Sequence, residues 1–374
     1  MNTGRQRVSP GWRVGTRAVL VFSCACVLAA SLDAGQRGHI QLYTGYGTTR
    51  AVIVRGRALA NEQYTIPRDK GSRIGNLIRA VRMLDARELR GKDVTVHCAG
   101  QVATCRTDEE GMFSVRLEAG GAEFPVGQLP VAVEANISAD ITLAAEGVAL
   151  IYPEDARRVV VCDVDDTIAE TGMGSKLRAG MQAIFGDAVR TKPVRGMSEL
   201  LHALAAGGEG EQPSPIFYVS GGPINFHPRV SAFLSMHGFP EGALMLRNFG
   251  RGPGNDPWSV EQYKMDRIEG LLGLFEKSRF LLVGDSTEKD PEAYAALRKR
   301  HAERIEAILI RRVDGKAGAD AQDDRFKDMI LFDDGADALR SAIGAGLVRQ
   351  PEPASAAPEG ASHEEHHLQA GGPE

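Results

Sequence analysis

The 374-residue sequence lacks the features that mark several protein classes. It has no basic excess, since 44 Lys and Arg residues face 49 Asp and Glu residues for a net charge of −5, and this balance argues against a nucleic-acid partner. None of its five Cys residues has the spacing of a zinc site, and no internal repeat is visible. The remaining composition, 43% hydrophobic and 25% charged, is that of a globular chain long enough for two domains with extensions.

The N-terminus has the residue order of a secretory signal peptide. Four arginines precede an apolar run over residues 18–32, and small residues follow at Ala34 and Gly35. The run is short for a membrane span. We therefore predict that residues 1–34 are a signal peptide and that the protein is exported. The alternative is an uncleaved membrane anchor formed by residues 18–32.

Three cysteines follow the predicted signal peptide: Cys98, Cys105 and Cys162. Cys98 and Cys105 flank a predicted hairpin turn, so two states are open for them, a disulfide formed after export and two free thiols. Cys162 follows a run of valines and is expected to be a packing residue in a buried strand.

Residues 39–150 alternate short strands and turns, which predicts a small all-β, sandwich-like domain. The clearest strands are Ala51–Val54, Val94–His97, Met112–Val115 and Ile141–Leu143. The stretch from Asp108 to Phe113 resembles the Asp-x-x-Gly-x-Phe turn of transthyretin-like sandwiches. A structural role is favoured for this domain over a membrane or substrate contact. Residues 73–90 form an Arg-rich helical stretch, either a solvated face or a contact for anionic lipid.

Residues 155–347 alternate strands with helices, which predicts an α/β domain built on a parallel sheet with helices on both faces. The predicted helices are Met197–Ala206, Arg229–His237, Val260–Lys277 and Pro291–Arg304. The predicted strands beyond residue 240 are Ala243–Leu246, Phe280–Val283, Ala307–Ile310 and Met329–Phe332. Pro, Ala, Glu and Gly dominate residues 350–374, which we expect to be disordered.

The most informative segment follows an apolar, β-branched run from Val159 to Val161. Asp163 and Asp165 come two residues apart where this predicted strand ends. Their carboxylates are therefore expected to project together into the crevice at the carboxyl edge of the sheet. Two close carboxylates repel each other, and a divalent cation holds both ionised. An acidic turn that caps the next helix is the alternative.

Three further elements have the residue types of a phosphate site. Ser220 and the two glycines after it end a second predicted strand, where a hydroxyl and backbone N–H groups suit a phosphate. Lys264 lies near the start of an amphipathic helix. A third predicted strand runs into Asp285 and Asp290. Taken singly, these elements are also typical of a plain turn, a solvated lysine and an acidic loop.

Together, Asp-x-Asp-x-Thr, the strand-ending serine, the lysine and Gly-Asp-Ser-x3-Asp resemble the motifs of the haloacid dehalogenase superfamily of phosphotransferases. Their surroundings resemble the catalytic domain of the actin-patch-type phosphatidate phosphatases. The second resemblance rests on Tyr218-Val219-Ser220, Pro223, Asn225, Gly242 to Arg247, Gly284-Asp285-Ser286 and Lys289 to Tyr294. It covers roughly Val159 to Val313 and implies a doubly wound parallel sheet and a Mg²⁺-dependent phosphatase.

The resemblance implies a role for each motif residue. Asp163 would attack phosphorus and form an aspartyl-phosphate, and Asp165 would act as general acid and base. Lys264 would stabilise charge on the transferred phosphoryl group. The expected substrate contacts are Ser220, Gly221, Gly222 and Thr167, and the expected Mg²⁺ ligands are Asp163, Asp165 through its backbone carbonyl, Asp285 and Asp290. Thr167 is also expected to tie its loop by hydrogen bonds, and Asp290 would act through a metal-bound water or by holding Lys264.

One position departs from the family pattern. Ser220 is followed by Gly221-Gly222-Pro223-Ile224, where the family has Ser-Pro-Trp or a near variant, so we expect Gly221, Gly222 and Ile224 to face the leaving group. The predicted substrate is a lipid phosphate monoester, which would bring the protein into peripheral contact with a membrane. A non-lipid phosphoester and a non-catalytic lipid- or phosphate-binding module are the alternatives.

Overall fold

The computed structural model describes residues 38–60, 87–170, 191–206, 213–249, 259–313 and 323–349. The predicted signal peptide, most of the Arg-rich stretch and the predicted disordered segment lie outside the described residues. The described residues belong to one compact unit. Within the described residues, no helix has the length and hydropathy needed to cross a membrane.

Residues 39–152 contain the eight strands of one sheet. These strands are β1 (His39–Leu42), β2 (Gly45–Thr48), β3 (Ala51–Leu59), β4 (Asp93–Cys98), β5 (Gln101–Arg106), β6 (Met112–Glu118), β7 (Gly127–Ser138) and β8 (Ile141–Tyr152). Neighbours pair antiparallel, except β2 with β8, which run parallel. Alternate residues of β4, β6 and β7 point inward to one apolar cluster, which is the period-two pattern that predicts strands here.

The turn between β5 and β6 has the geometry predicted for Asp108 to Phe113. One carboxylate oxygen of Asp108 accepts hydrogen bonds from the backbone N–H groups of Glu110 and Met112, at 2.9 and 2.8 Å. Gly111 has a φ of 71°, and a Cβ there would lie 2.5 Å from the carbonyl oxygen of Ala58. Glycine is therefore required for its conformation and for its lack of a side chain. Phe113 then enters the core of the sheet.

The register of the β4–β5 hairpin excludes a disulfide between Cys98 and Cys105. Cys98 pairs with Gln101 and Cys105 pairs with Val94. The two cysteines are therefore four residue steps apart along the strands, which is about 13 Å at the usual rise of a strand. A disulfide needs Cα atoms closer than about 7 Å. Both cysteines are free thiols, so the disulfide alternative is wrong for this fold.

A second sheet has six strands, and every pair in it is parallel. Its strands are β9 (Arg158–Cys162), β12 (Ile216–Pro223), β13 (Ala243–Arg247), β14 (Arg279–Asp285), β15 (Ile305–Arg311) and β16 (Ile330–Phe332). They lie in the order β13, β12, β9, β14, β15, β16, so β9 is central. The short strands β10 (Ala169–Glu170) and β11 (Lys192–Pro193) pair with each other.

The described residues contain five α-helices. They are α1 (Met197–Ala205), α2 (His227–Met236), α3 (Val260–Leu274), α4 (Asp290–Arg300) and α5 (Gly335–Gly344), with short 3-10 helices at Ile224–Phe226 and Asp324–Phe326. Val160 and Cys162 of β9 pack in one apolar cluster with α1, α2 and α5, whereas Val159 and Val161 pack in a second cluster with α3 and α4. Helices therefore cover both faces of the sheet, which explains why its strands are apolar on both sides. The predicted α/β class is confirmed.

The predicted helices and strands of this region occur with small shifts at their ends. The largest shift is in α4, which ends at Arg300 and not at the predicted Arg304. The guanidinium of Arg304 donates to the carbonyl of Ser278 at 2.7 Å, and the backbone turns at His301 to allow this contact. A tertiary contact therefore ends the helix where the local pattern predicts that it continues.

The eight-stranded sheet packs directly against the six-stranded sheet. Tyr46 of β2 meets Phe217 of β12 edge to face, with ring centroids 5.3 Å apart, and Tyr152 of β8 meets Phe275 at 6.2 Å. Such aromatic pairs bury large apolar areas in a defined geometry. The domain boundary predicted near residue 150 thus falls in the short connection between β8 and β9, inside one compact unit.

Candidate active site

Three neighbouring strands of the parallel sheet, β12, β9 and β14, end at the same edge. Ser220 lies near the end of β12, Asp163 directly follows β9, and Asp285 is the last residue of β14. The backbone N–H of Asp163 still donates to the carbonyl of Val283, at 2.9 Å, so Asp163 stays aligned with the sheet while the chain beyond it turns away. The structure thus brings together side chains that are far apart in the sequence.

Asp163 is fully buried in this cluster. Its Oδ1 lies 2.7 Å from Nζ of Lys264, and its Oδ2 accepts a hydrogen bond from the hydroxyl of Thr167, at 3.0 Å. Burial, together with repulsion from Asp290, outweighs the attraction of Lys264 and raises the pKa of Asp163 well above its usual value. Thr167 therefore orients the Asp163 carboxylate within the loop, whereas its contact with a substrate stays a prediction.

The loop after Asp163 has an uncommon backbone conformation. Asp166 has a φ of 53°, a left-handed conformation that aspartate tolerates better than most residues. Nη1 of Arg311, on β15, donates to the carbonyl of Asp166 at 2.6 Å. This contact stabilises the turn that carries Asp165. Arg311 was not predicted from the sequence, because the two residues are 145 positions apart.

The Asp165 carboxylate contacts Ser220. The Ser220 hydroxyl donates to Oδ2 of Asp165 at 2.8 Å and accepts from the backbone N–H of Gly222 at 2.9 Å. The other carboxylate oxygen of Asp165 is buried and has no hydrogen-bond partner among the described residues. Burial, together with repulsion from Glu288, raises the pKa of Asp165 to about 7. A carboxyl group with this pKa is suited both to donate and to accept a proton at neutral pH.

Lys264 is a buried cation of the site and not a solvated lysine. It lies near the start of α3, whose N-cap Ser259 accepts a hydrogen bond from a first-turn backbone N–H at 3.3 Å. Its Nζ contacts Asp163 at 2.7 Å, Glu288 at 3.2 Å, and Asp290. Burial lowers the pKa of Lys264, but attraction to these carboxylates outweighs burial and raises it well above the usual value. Glu288 belongs to the site although it is not one of the motif residues, and its position two residues before Asp290 is a usable signal.

The segment from Asp285 to Asp290 folds back on itself. The backbone N–H of Asp285 donates to Oδ2 of Asp290 at 3.2 Å, and Oδ1 of Asp285 accepts from the backbone N–H of Thr287 at 2.6 Å. A Cβ at Gly284 would lie 2.8 Å from the Cβ of Asp290 and closer still to its carboxylate, so glycine is what lets Asp290 approach the strand. Burial, together with repulsion from Asp290, raises the pKa of Asp285 to about 7.

The described part of the site carries more negative than positive charge. Carboxylate oxygens of Asp163, Asp285 and Asp290 lie within 4.8 Å of one another, and Lys264 supplies one positive charge to this group. Carboxylates this close ionise together only when further positive charge is present, and their hard oxygens are the ligands that Mg²⁺ and Ca²⁺ prefer. The arrangement therefore fits a divalent cation. The Asp165 carboxylate lies outside this group, and the role of its backbone carbonyl stays a prediction.

Packing shapes the loop beyond Ser220. The side chain of Ile224 is 5% exposed and packs in the apolar cluster that includes α1 and α2, so the expectation that it faces the leaving group is wrong. A Cβ at Gly221 would lie 2.7 Å from Cγ1 of Val260, because the loop passes directly over the start of α3. Nε of Arg247 donates to the carbonyl of Gly221 at 2.7 Å and holds the loop there.

A comparison with protein families matches residues 158–312 to the catalytic domain of phosphatidate phosphatase APP1. Among curated proteins, phosphatidate phosphatase APP1 of Saccharomyces cerevisiae is 26% identical over 209 residues, which are 55% of this chain and 34% of that protein. The chain thus spans about a third of the length of this curated relative.

Two solved structures show weak likeness to this chain. A carbohydrate acetylesterase from Xanthomonas citri is 13% identical, with a TM-score of 0.27 and coverage of 74% of this chain and 68% of that chain. Chitinase ChiW from Paenibacillus is 10% identical, with a TM-score of 0.18 and coverage of 76% and 21%. Neither likeness bears on fold or function at these scores. The family match, in contrast, contains the whole run of motif residues from Asp163 to Asp290, and it confirms the resemblance found in the sequence: residues 158–312 are similar to the catalytic domain of phosphatidate phosphatase APP1.

Proposed function

We propose that this protein is a phosphoric monoester hydrolase that removes phosphate from a lipid phosphate monoester of the phosphatidate type. The observation that carries the proposal is the cluster at the carboxyl ends of β9, β12 and β14, where Asp163, Asp165 and Lys264 meet within the family-matched segment. A curated relative is named a phosphatidate phosphatase, which supports a lipid phosphate as the substrate. In this proposal the six-stranded sheet is the doubly wound sheet of a haloacid-dehalogenase-like domain.

Asp163 is the proposed nucleophile. One of its carboxylate oxygens forms a bond to phosphorus while the bond between phosphorus and the lipid oxygen breaks, which gives an aspartyl-phosphate and a lipid alcohol. Thr167 and Lys264 contact the two oxygens of this carboxylate at 3.0 and 2.7 Å. The nucleophile is therefore oriented before the substrate arrives, which reduces the entropy lost at the transition state.

Asp165 is the proposed general acid and base. It gives a proton to the departing lipid oxygen and then accepts a proton from the water that attacks the aspartyl-phosphate, so inorganic phosphate leaves and Asp163 is regenerated. Its pKa of about 7, raised by burial and by Glu288, keeps a substantial fraction protonated at neutral pH. The hydrogen bond from Ser220, at 2.8 Å, orients the carboxyl group for both transfers.

Asp163, Asp285 and Asp290 would hold Mg²⁺, together with the backbone carbonyl of Asp165. These residues fit the ion because the three side chains offer hard oxygens within 4.8 Å of one another. In addition, Oδ2 of Asp285 is buried without a hydrogen-bond partner among the described residues. When bound, Mg²⁺ supplies positive charge that offsets the repulsion between the carboxylates and the phosphate. Lys264 adds positive charge beside the oxygens of the transferred group.

Phosphate release from a panel of substrates, with and without Mg²⁺, tests the proposed function. Phosphatidate in mixed micelles is compared with a sugar phosphate, a nucleoside monophosphate and a phosphopeptide. We expect Mg²⁺-dependent release that is fastest with phosphatidate and that is lost in Asp163→Asn. Asp155→Asn is the matched control, because it changes an exposed carboxylate just before β9.

Other outcomes of this assay support the alternatives. Fast release from a soluble phosphoester, with none from phosphatidate, would favour a phosphatase of the same fold that acts on a non-lipid substrate. A folded protein that binds lipid phosphate but releases no phosphate would favour a non-catalytic binding module. Near-normal release by pure, folded Asp163→Asn would exclude the aspartyl-phosphate.

A further inference from the structure

Arg325 contacts the acidic segment of the site from outside the family-matched region, which ends at residue 312. It lies in the short 3-10 helix Asp324–Phe326, whose Phe326 is buried in the apolar cluster of α3 and α4. Asp323 caps this helix by accepting from the backbone N–H of Arg325 at 2.9 Å. The helix is thus anchored at both ends, and it holds the guanidinium of Arg325 beside the segment between Asp285 and Asp290.

The guanidinium of Arg325 binds this segment at several points. Nη1 donates to the carbonyl of Ser286 at 2.6 Å, and Nη2 donates to the carbonyl of Glu288. Nε and Nη2 also donate to the two carboxylate oxygens of Glu292, at 2.9 and 3.0 Å. One planar group thereby fixes two loop carbonyls and the first turn of α4. Lysine cannot reproduce this pattern, because its ammonium group is a single point with no fixed plane.

Arg325 contacts the segment that carries both aspartates proposed to bind Mg²⁺. Asp285 and Asp290 lie at its two ends, and the side chain of Glu288, within it, reaches Lys264 at 3.2 Å. The residues between the two aspartates form neither helix nor strand. The aspartates repel each other when ionised, and a hydrogen bond from the backbone N–H of Asp285 to Oδ2 of Asp290, at 3.2 Å, joins them directly. The contacts of Arg325 add a second restraint, on the outer side of the loop.

We propose that Arg325 is a positioning residue that shapes the segment from Asp285 to Asp290 for the binding of a divalent cation. This inference rests on the proposed function, in which both aspartates hold Mg²⁺. A purely structural role is the competing account: Arg325 would then stabilise the unit without changing its affinity for the cation.

Calorimetric titration of the full-length protein with Mg²⁺, at fixed pH and ionic strength, distinguishes the two accounts. The variants are Arg325→Met and Arg325→Lys, and Arg300→Met is the matched control because Arg300 is half exposed and pairs with Glu269 on the surface of the same unit. Urea unfolding of each variant in chelator measures the structural contribution separately. We expect Arg325→Met to weaken Mg²⁺ binding by about tenfold or more, Arg325→Lys to restore little of the affinity, and Arg300→Met to leave it unchanged. Millimolar guanidinium should partly restore the affinity of Arg325→Met.

Mg²⁺ affinity within twofold of wild type in Arg325→Met would overturn the inference, even if the variant were less stable. Should Arg325→Met fail to fold, Glu292→Gln takes its place: it removes the charge partner of Arg325 and keeps both loop carbonyls, and it should weaken Mg²⁺ binding by a smaller factor. Unchanged affinity in Glu292→Gln would then overturn the inference. If wild-type protein binds no Mg²⁺, the proposed function fails and this inference fails with it; if wild type binds and the variants bind equally well, the inference alone fails.

Discussion

Replacing Lys264 with Met tests the electrostatic account of the site most directly. Met keeps much of the length and apolar volume of the lysine stem while it removes the charge. Nζ of Lys264 contacts Asp163 at 2.7 Å and also contacts Asp290, and these side chains are 1%, 0% and 0% exposed, respectively. Because these side chains are buried, solvent compensates little for the loss of the positive charge.

The size of the effect follows from this burial. Removing one partner of a buried ion pair costs about 3–5 kcal/mol, because the remaining charge is left without compensation. Protonation of Asp163 or Asp290 limits the loss of unfolding free energy, since burial already raises the pKa values of both carboxyl groups. We therefore expect the metal-free variant to lose about 3 kcal/mol of unfolding free energy at neutral pH, which is on the order of a 10²-fold change in the unfolding equilibrium.

Urea unfolding in chelator, followed by circular dichroism, measures this loss. Lys289→Met is the matched control, because Lys289 belongs to the same segment, is 63% exposed and contacts Glu292 at 3.2 Å. Exposed pairs of this kind contribute at most about 1 kcal/mol. If Lys264→Met loses no more stability than Lys289→Met, the carboxylates do not depend on Lys264 for charge compensation, and the proposed electrostatic role of Lys264 is refuted.

Four further predictions concern the chemistry, the packing and the processing of the chain. Asp163→Asn removes the attacking charge at nearly constant volume, so phosphate release in steady-state assays should fall by about 10³-fold or more with an unchanged circular-dichroism spectrum. Gly284→Ala puts a methyl group against Asp290; it should cost about 1–3 kcal/mol in urea unfolding and weaken Mg²⁺ binding in calorimetry. Ile224→Trp forces a larger side chain into a packed cluster, so it should cost about 1–3 kcal/mol in urea unfolding. The ratio of the rates on phosphatidate and on a soluble phosphoester should stay unchanged, and a selective change in that ratio would contradict the buried position. Intact-mass measurement of protein from its native host should give an N-terminus near Gly35, and a mature chain that begins at Met1 would contradict signal cleavage.

The parallel sheet and the position of Asp163, Ser220 and Asp285 at one edge of it were predictable because their signals are local. Each residue comes at the end of an apolar, β-branched run, and the ends of parallel strands lie at one edge. The same is true of the turn from Asp108 to Phe113, whose hydrogen bonds lie within a few residues. Sequence patterns succeed where the interactions that fix a structure are short in range.

The residues that hold the site in shape could not be predicted in this way. Arg311 reaches the carbonyl of Asp166 across 145 positions, and Arg325 reaches the carbonyl of Ser286 across 39. The sequence position of an arginine does not identify the distant carbonyl that its side chain contacts. The error at Ile224 has a related cause, because its place after a site loop suggested exposure, whereas tertiary packing buries it.

The excess of negative charge at the site has a physical consequence for the whole unit. Burial raises the pKa values of Asp163, Asp165, Asp285 and Asp290 together, so each of these carboxylates favours the unfolded chain when it is ionised. The central position of β9, with apolar clusters on both faces of the sheet, offsets this cost. The excess of ionised carboxylate over positive charge therefore lowers the stability of the unit. The negative charge that Lys264 alone does not balance would become favourable once a divalent cation shares it, and this links the electrostatics of the cluster to the proposed phosphoryl chemistry.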